Sequence, residues 1–155
     1  MTSEFSTAPE LRPRLTVEEV GHLLETHFPQ LNAAGKLIFV EHLGPGTATL
    51  RMKGGDHITR PGGTVSGPSM FLLADLGVYV ALLAERGEAA LQAVTANMNI
   101  NFLSRPEPRD LIAQVRLLKV GRRMAVGEVD LFTDGHADLV AHATATYSLP
   151  REAKR

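Results

Sequence analysis

The sequence predicts an α+β fold in which an antiparallel sheet of about five strands wraps around one long central helix. The stretch 69–84 is apolar on every side except at Asp75, and a helix of that kind is buried in a core. Between residues 94 and 148 apolar and polar residues alternate in several short runs, which indicates strands with one buried face. The chain has 155 residues, and at roughly 100 to 200 residues per domain the helix and the strands share one domain.

The N-terminal segment differs in composition from the rest of the chain. Residues 1–15 are polar, contain prolines and lack an apolar stretch. They predict a flexible arm in front of a single folded domain over 16–150. They match neither a signal peptide nor a lipidation motif, so a cytoplasmic location is expected.

A short helix and a hairpin open the predicted domain. Thr16 and Glu19 have the spacing of a capping box, and the apolar residues that follow recur on one face. This pattern predicts a helix over 16–28. Two runs of β-type residues, 36–43 and 47–53, flank a Gly-Pro-Gly turn and predict a hairpin.

A loop rich in glycine and proline leads into the central helix, which is predicted over 68–86. Pro68 suits the first helical turn because its missing N–H would have no partner there, and Ser66 or Gly67 can cap the helix. Asp75 interrupts the apolar run before it reaches the roughly 20 residues that a membrane span requires. The sequence therefore predicts a core helix and no membrane partner.

The remaining strands follow the helix and are predicted over 94–102, 111–120, 124–133 and 137–148. An Asp-Gly pair before the last of them is typical of a hairpin turn. In the strand predicted over 94–102, the alternation of apolar and polar residues predicts one buried set of side chains and one outward set. The buried set is Val94, Ala96, Met98, Ile100 and Phe102, and the outward set is Thr95, Asn97, Asn99 and Asn101.

Composition narrows the chemistry that the chain can perform. The formal net charge is −1, which argues against nucleic acid as a partner. The absence of cysteine excludes a disulfide framework, thiolate zinc sites and a cysteine nucleophile. The six histidines show no spacing typical of metal ligands, so we expect no metal site.

Residues of the central helix are the strongest candidates for a functional role. Asp75 has apolar neighbours one turn away, and an unpaired buried carboxylate is costly. It is therefore either a structural group held by hydrogen bonds or an acid, base or nucleophile. The Gly67 N–H is either a plain helix cap or a donor to a developing oxyanion. Lys119, Arg122 and Arg123 form either a solvated turn or an anion site.

Several motifs of the chain have the spacing of one known family. The Leu-Ala-Asp at 73–75 stands at the position of a Leu-Ala-Asp on that family's central helix, and Gly67 stands at the first glycine of its glycine pair. The run 94–103 is similar to its next strand, and 119–122 to its strand-turn signature. Over about 36–148 the chain resembles the acyl-CoA thioesterases of the hotdog superfamily, in particular the phenylacetate-degradation type.

The resemblance implies the hotdog fold and the hydrolysis of a small-to-medium acyl or aryl coenzyme A thioester. It implies that Asp75 is the general base or nucleophile, that the Gly67 N–H is the oxyanion donor, and that Thr95 holds Asp75 or the water. Asp75 and Gly67 would come from different subunits of a homodimer or of a tetramer. No cofactor is implied beyond the coenzyme A of the substrate. The residues expected at the substrate are Arg60, Gly63, Ser66, Pro68, Lys119, Gly121 and Arg122.

Three residues depart from the family's pattern. Arg60 stands where the family has Asn, Ser66 where it has His, and Pro68 where it has the second glycine. Pro68 has no N–H, so one oxyanion donor is missing. These departures leave open a second hypothesis, a hotdog module that binds acyl-CoA without turnover. An enoyl-CoA hydratase of the same fold is disfavoured, because the loop before the helix has no matching Asp/His pair.

Overall fold

The computed structural model describes residues 11–151, and the expectations for 1–10 and 152–155 lie outside that part of the chain. The described end of the N-terminal segment is attached to the fold, because Leu11 and Leu15 pack against the hydrophobic core.

The first helix, α1, runs over Val17–His27 and begins at the predicted capping box. The Thr16 hydroxyl accepts the Glu19 N–H at 3.2 Å, and the Glu19 carboxylate accepts the Thr16 N–H at 3.3 Å. A 3-10 helix over Pro29–Asn32 follows. The predicted helix over 16–28 is therefore confirmed, together with its cap.

The predicted hairpin is formed by β1 (Ile38–Gly44) and β2 (Thr47–Met52). The loop that follows contains short elements that its glycines and prolines did not predict. A 3-10 helix spans Asp56–Ile58. It leads into a separate two-stranded ribbon of β3 (Thr59–Arg60) and β4 (Thr64–Val65).

The central helix, α2, runs over Gly67–Arg86, in agreement with the prediction, and a 3-10 helix over Gly87–Ala90 follows it. Ser66 is the N-cap, and its hydroxyl accepts the Ser69 N–H at 3.3 Å. Pro68 lies in the first turn, where it removes no intrahelical hydrogen bond.

By length and composition alone, the helical stretch 67–90 is the single candidate membrane span within 11–151. Inside the folded chain, 61 % of its most apolar window is buried, and the sheet packs against it. The stretch is therefore the core helix that the sequence predicts.

The remaining strands are β5 (Val94–Phe102), β6 (Leu111–Val120), β7 (Met124–Thr133) and β8 (Leu139–Ser148). Together with β1 and β2 they form one six-stranded sheet in the order β1-β2-β6-β7-β8-β5. Every neighbouring pair is antiparallel. The predicted architecture is confirmed, with a sheet slightly larger than five strands.

Two glycines let α2 lie close to the middle of the sheet. A methyl group on Gly77 would stand 2.7 Å from a methyl carbon of Val115 on β6, and one on Gly127 of β7 would stand 3.1 Å from Val78. Both distances are shorter than ordinary van der Waals contact, so larger residues would push the helix away from the sheet.

Strand β5 differs from its sequence pattern. It is an edge strand, and the ends of the set predicted to be buried are exposed, with Val94 at 61 % and Phe102 at 52 %. The alternation is also broken: Thr95 pairs with Tyr147 and Asn97 with Thr146, so that Ala96 is an extra residue in a β-bulge. The prediction that Thr95 faces outward with the asparagines is therefore wrong, because the bulge turns it towards α2.

Candidate active site

Asp75 lies half-buried in the middle of α2, where its carboxylate meets side chains from two strands. The Thr95 hydroxyl of β5 donates to Oδ1 at 2.8 Å. The Tyr147 hydroxyl of β8 lies 2.6 Å from Oδ1 and 2.9 Å from the Asp75 carbonyl oxygen. Oδ2 accepts no hydrogen bond from the described residues. One carboxylate oxygen is therefore held in place while the other can accept a proton.

The Tyr147 side chain is a hydrogen-bond donor with little tendency to ionise. Burial raises the pKa of its hydroxyl well above the ordinary value, and the hydrogen bond to Asp75 raises it further. Its ring stacks on that of Tyr79, with centroids 6.1 Å apart. The Tyr79 hydroxyl donates to the Leu91 carbonyl at 2.7 Å, so it is a satisfied core group and does not bond to Asp75.

A cavity of about 350 Å³ opens beside the carboxylate of Asp75. Thr95 and Tyr147 line it together with Asp75, and the other walls are largely apolar. They come from the end of α1, the following 3-10 helix, α2 and the start of β5: His27, Phe28, Leu31, Leu72, Leu76, Tyr79, Leu91 and Val94. A pocket of this size and character, with few polar groups at one place, is typical of a small-molecule site.

The predicted oxyanion donor, Gly67, is the first residue of α2. Its N–H donates to no acceptor in the described part of the chain, and it carries the positive end of the helix dipole. Gly67 and Asp75 are eight positions apart on α2, a rise of about 12 Å at 1.5 Å per residue. The two groups of one chain therefore cannot act on the same carbonyl.

Arg60 and Gly63 lie on the ribbon that precedes α2. The Gly63 N–H donates to the Arg60 carbonyl at 3.0 Å, and Gly63 has a φ of 76°, a conformation that favours glycine. The Ser66 N–H donates to the Ile58 carbonyl at 2.7 Å and fixes the ribbon to the helix start. Arg60, Gly63, Ser66 and Pro68 are thus grouped around Gly67, while Asp75 lies further along the helix.

Lys119, Gly121 and Arg122 lie at the turn between β6 and β7. The turn is closed by a hydrogen bond of 2.8 Å from the Gly121 N–H to the Met124 carbonyl, and the Arg86 guanidinium donates to the Gly121 carbonyl at 3.1 Å. The side chains of Lys119 and Arg122 are exposed. The turn therefore presents positive charge to solvent.

The structure brings Asp75 and Thr95 together and adds Tyr147, which sequence reasoning missed. A signal for Tyr147 was present, since it continues the period-two series of inward alanines at 141, 143 and 145 on the last strand. An inward tyrosine in such a series needs a buried partner for its hydroxyl. Within residues 11–151, no group of three or more His, Asp or Glu side chains could hold a metal ion.

Comparison with known proteins gives consistent matches in sequence and in structure. Residues 62–140 match the thioesterase superfamily. Over 143 residues the chain is 30 % identical to a Saccharolobus solfataricus protein provisionally named as an esterase, covering 92 % of this chain and 91 % of that protein.

Two solved structures extend the comparison to the fold. A Silicibacter protein provisionally named as a thioesterase is 40 % identical, with a TM-score of 0.81 and coverage of 92 % of this chain and 96 % of that chain. A Ralstonia eutropha protein, provisionally named as a thioesterase related to phenylacetic acid degradation, is 25 % identical. Its TM-score is 0.72, with coverage of 84 % of this chain and 99 % of that chain. The chain therefore belongs to the thioesterase superfamily, has the hotdog fold and is a thioester hydrolase.

Proposed function

We propose that the protein hydrolyses acyl-CoA thioesters of small to medium size with Asp75 as the general base. The observation that carries this proposal is the Asp75 carboxylate itself. Two hydroxyls hold its Oδ1 at 2.6 and 2.8 Å, and the carboxylate lines an apolar cavity. A carboxylate held in this way is positioned to accept a proton from a water molecule.

The proposed reaction needs only water and the thioester. Oδ2 of Asp75 takes a proton from water while the water oxygen forms a bond to the thioester carbon. The negative charge that develops on the carbonyl oxygen is stabilised by the Gly67 N–H of a second copy. The C–S bond then breaks, and the leaving thiolate takes up the proton that Asp75 holds, which restores the carboxylate.

A second copy of the chain can supply Gly67 through the free edge of β5. Thr95 lies near one end of this strand and Phe102 at the other, and a methyl group on Gly67 would stand 3.5 Å from the Phe102 ring. Antiparallel pairing of two β5 strands about a two-fold axis near Met98 places the Thr95 end of one copy opposite the Phe102 end of the other. It also covers an exposed strand edge.

Exposed apolar side chains support this mode of pairing. Large side chains at least 41 % exposed lie along β5 and on the first turns of α2. They are Phe71, Leu72, Val94, Phe102 and Leu103. Burying them between two copies would remove apolar surface from water next to the proposed site. We therefore propose a homodimer as the active unit.

The phosphates of coenzyme A are proposed to contact the turn between β6 and β7. Ser148 pairs with both Val94 and Met124, so this turn lies at the same end of the sheet as Thr95. Lys119 and Arg122 are exposed there, and arginine forms paired hydrogen bonds with phosphate. Arg60, Gly63, Ser66 and Pro68 would approach the thioester from the second copy, next to its Gly67.

The experiment that tests this proposal is a screen of acyl-CoA thioesters with detection of the released thiol. The set includes acetyl-, hexanoyl-, decanoyl-, benzoyl- and phenylacetyl-CoA. We expect at least one of them to be turned over with a kcat/KM of about 10⁴ M⁻¹s⁻¹ or more, the lower end of ordinary enzymes. Saturable binding without turnover of any thioester would contradict hydrolysis and favour an acyl-CoA-binding module.

A further inference from the structure

A second cavity lies beneath α1, beside the one that contains Asp75. Its volume is about 340 Å³. Leu31, from the 3-10 helix after α1, and Leu76, from α2, line both cavities. The two cavities therefore share this pair of leucines as part of their walls, and we call the pair the leucine constriction.

The inner walls of the second cavity are apolar and belong to the hydrophobic core. Leu50 and Val80 are fully buried, and Val40 packs against the core beside them. Charged groups occur only towards α1 and the segment after it, where Lys36 and Glu25 form an exposed ion pair at 3.9 Å. Apolar walls therefore lie on both sides of the leucine constriction, towards Asp75 in one cavity and towards the core in the other.

Helix α1, which lines the second cavity, buries few of its side chains completely. Val20 is the one residue of α1 that is fully buried, and the C-cap residue Phe28 is 40 % exposed. Few buried apolar contacts allow a segment to move at a small cost in free energy. A shift of α1 away from α2 would therefore cost few buried contacts.

We propose that the acyl group of the substrate is a linear aliphatic chain that runs from Asp75 past the leucine constriction into the second cavity. This inference rests on the proposed thioesterase function and names the substrate class of that site. A linear chain is slender enough to pass between Leu31 and Leu76 from one cavity to the other, whereas an aromatic ring is broader and would stay in the first cavity. Leu31 is then the residue that determines which chain lengths are accepted.

The proposal predicts how activity depends on chain length. Each methylene that leaves water for an apolar wall contributes up to about fourfold in kcat/KM. We expect kcat/KM to rise from butyryl- to decanoyl-CoA by at least tenfold, and decanoyl-CoA to exceed phenylacetyl-CoA. A preference for acetyl-, butyryl- or phenylacetyl-CoA over decanoyl-CoA would overturn the proposal while leaving the thioesterase function intact.

A substitution at the constriction gives the sharper test. Leu31→Trp narrows the opening, and the readout is the ratio of kcat/KM for decanoyl-CoA to that for butyryl-CoA, in which a general loss of activity cancels. We expect this ratio to fall at least tenfold. Leu118→Trp is the matched control, because Leu118 is 50 % exposed and lines neither cavity. Its ratio should equal that of the wild type.

A second variant covers the case in which Leu31→Trp does not fold. Leu31→Ala widens the opening, and we expect it to raise kcat/KM for palmitoyl-CoA relative to decanoyl-CoA by at least threefold. Ratios in the Leu31 variants that match the wild type, with both substrates still hydrolysed, would refute the proposed path. Failure to hydrolyse any thioester would instead refute the proposed function on which it rests.

Discussion

The hydroxyl of Tyr147 lies 2.6 Å from Oδ1 of Asp75, although the two residues are 72 positions apart in the chain. The contact joins the last strand of the sheet to the middle of the central helix. It fixes the orientation of the carboxylate, and it leaves Oδ2 without a donor among the residues that the structure describes. In our proposal Tyr147 is therefore a positioning residue for the base.

Replacing Tyr147 by Phe tests that role. A hydrogen bond to a charged group contributes about 1.5 to 3 kcal/mol, so we expect kcat to fall roughly ten- to a hundredfold. KM should change less than kcat, because the lost donor acts on the base in our proposal. The pKa of Tyr147 is raised by burial, so the donor stays protonated and the wild type should show no loss of activity near pH 10.

Tyr79→Phe is the matched control for this substitution. It removes a partly buried tyrosine hydroxyl that donates to the Leu91 carbonyl and not to Asp75. Its kcat should stay close to the wild-type value. Equal kcat values for Tyr147→Phe and Tyr79→Phe would rule out the positioning role.

The contacts of Asp75 show where sequence reasoning reached its limit. The central helix, its cap and the strands follow from periodicity and turn residues, because those signals are local. The side on which Thr95 lies depends on one extra residue, Ala96, in the pairing of β5 with β8. A bulge depends on strand pairing between distant parts of the chain, and a period-two pattern does not reveal it.

Removing the Gly67 N–H tests the proposed oxyanion donor. Gly67→Pro deletes this N–H at a position where proline is favoured, after a Ser66 whose backbone is extended. Loss of one oxyanion donor costs about 10² to 10³ in kcat. Gly67→Ala retains the N–H, and its added methyl group would stand 3.5 Å from Phe102. It should therefore exceed the proline variant in kcat by at least tenfold, as measured on the best thioester.

The Gly67→Pro variant also shows whether the site is shared between two copies. Asp75→Asn and Gly67→Pro subunits, co-expressed with different tags and purified as a heterodimer, would form one intact site and one doubly defective site. We expect about half of the wild-type kcat per dimer, because one of two symmetric sites is restored. A heterodimer no more active than either parent would contradict a site shared between two copies.

Charge at the β6–β7 turn should affect binding more than chemistry. Replacing Arg122 and Arg123 by Gln is expected to raise KM for acyl-CoA roughly three- to tenfold with a smaller change in kcat. Arg116→Gln removes one positive charge from a residue that pairs with Glu128 and serves as the control. An unchanged KM with unchanged salt dependence would argue against phosphate contacts at this turn.

Asp110 should make the stability of the fold depend on acid pH. Its carboxylate accepts the Gly54 N–H at 2.8 Å and the Arg51 guanidinium at 3.0 Å, and these bonds lower its pKa. A lowered pKa in the folded state stabilises the protein above the unfolded value of about 3.9, and this stability is lost as the pH falls through the folded pKa.

Asp110→Asn should therefore reduce the free energy of unfolding near neutral pH by on the order of 1 kcal/mol. The difference from the wild type should shrink as the pH falls below about 3.9. Urea unfolding at a series of pH values measures this difference in the free energy of unfolding. Asp138→Asn, at an exposed carboxylate, is the control, and an equal effect of both substitutions would contradict the assignment.

The position of Asp75 was the part of the candidate site best anticipated from the chain, since this residue interrupts an otherwise apolar helix. The walls of the cavity were not anticipated. They combine the end of α1, the 3-10 helix after it and the start of β5, and such a combination depends on packing between distant elements. Periodicity predicts which face of a helix or strand is buried, but it does not predict which other element packs against that face.

The kcat of Asp75→Asn on the best acyl-CoA thioester tests the central claim most directly. The asparagine oxygen can still accept from Thr95 and Tyr147, so thermal unfolding should confirm that the fold is retained. With base catalysis lost, we expect kcat to fall by on the order of 10² or more. A folded Asp75→Asn protein whose kcat stays within a few-fold of the wild type would show that Asp75 is not the base.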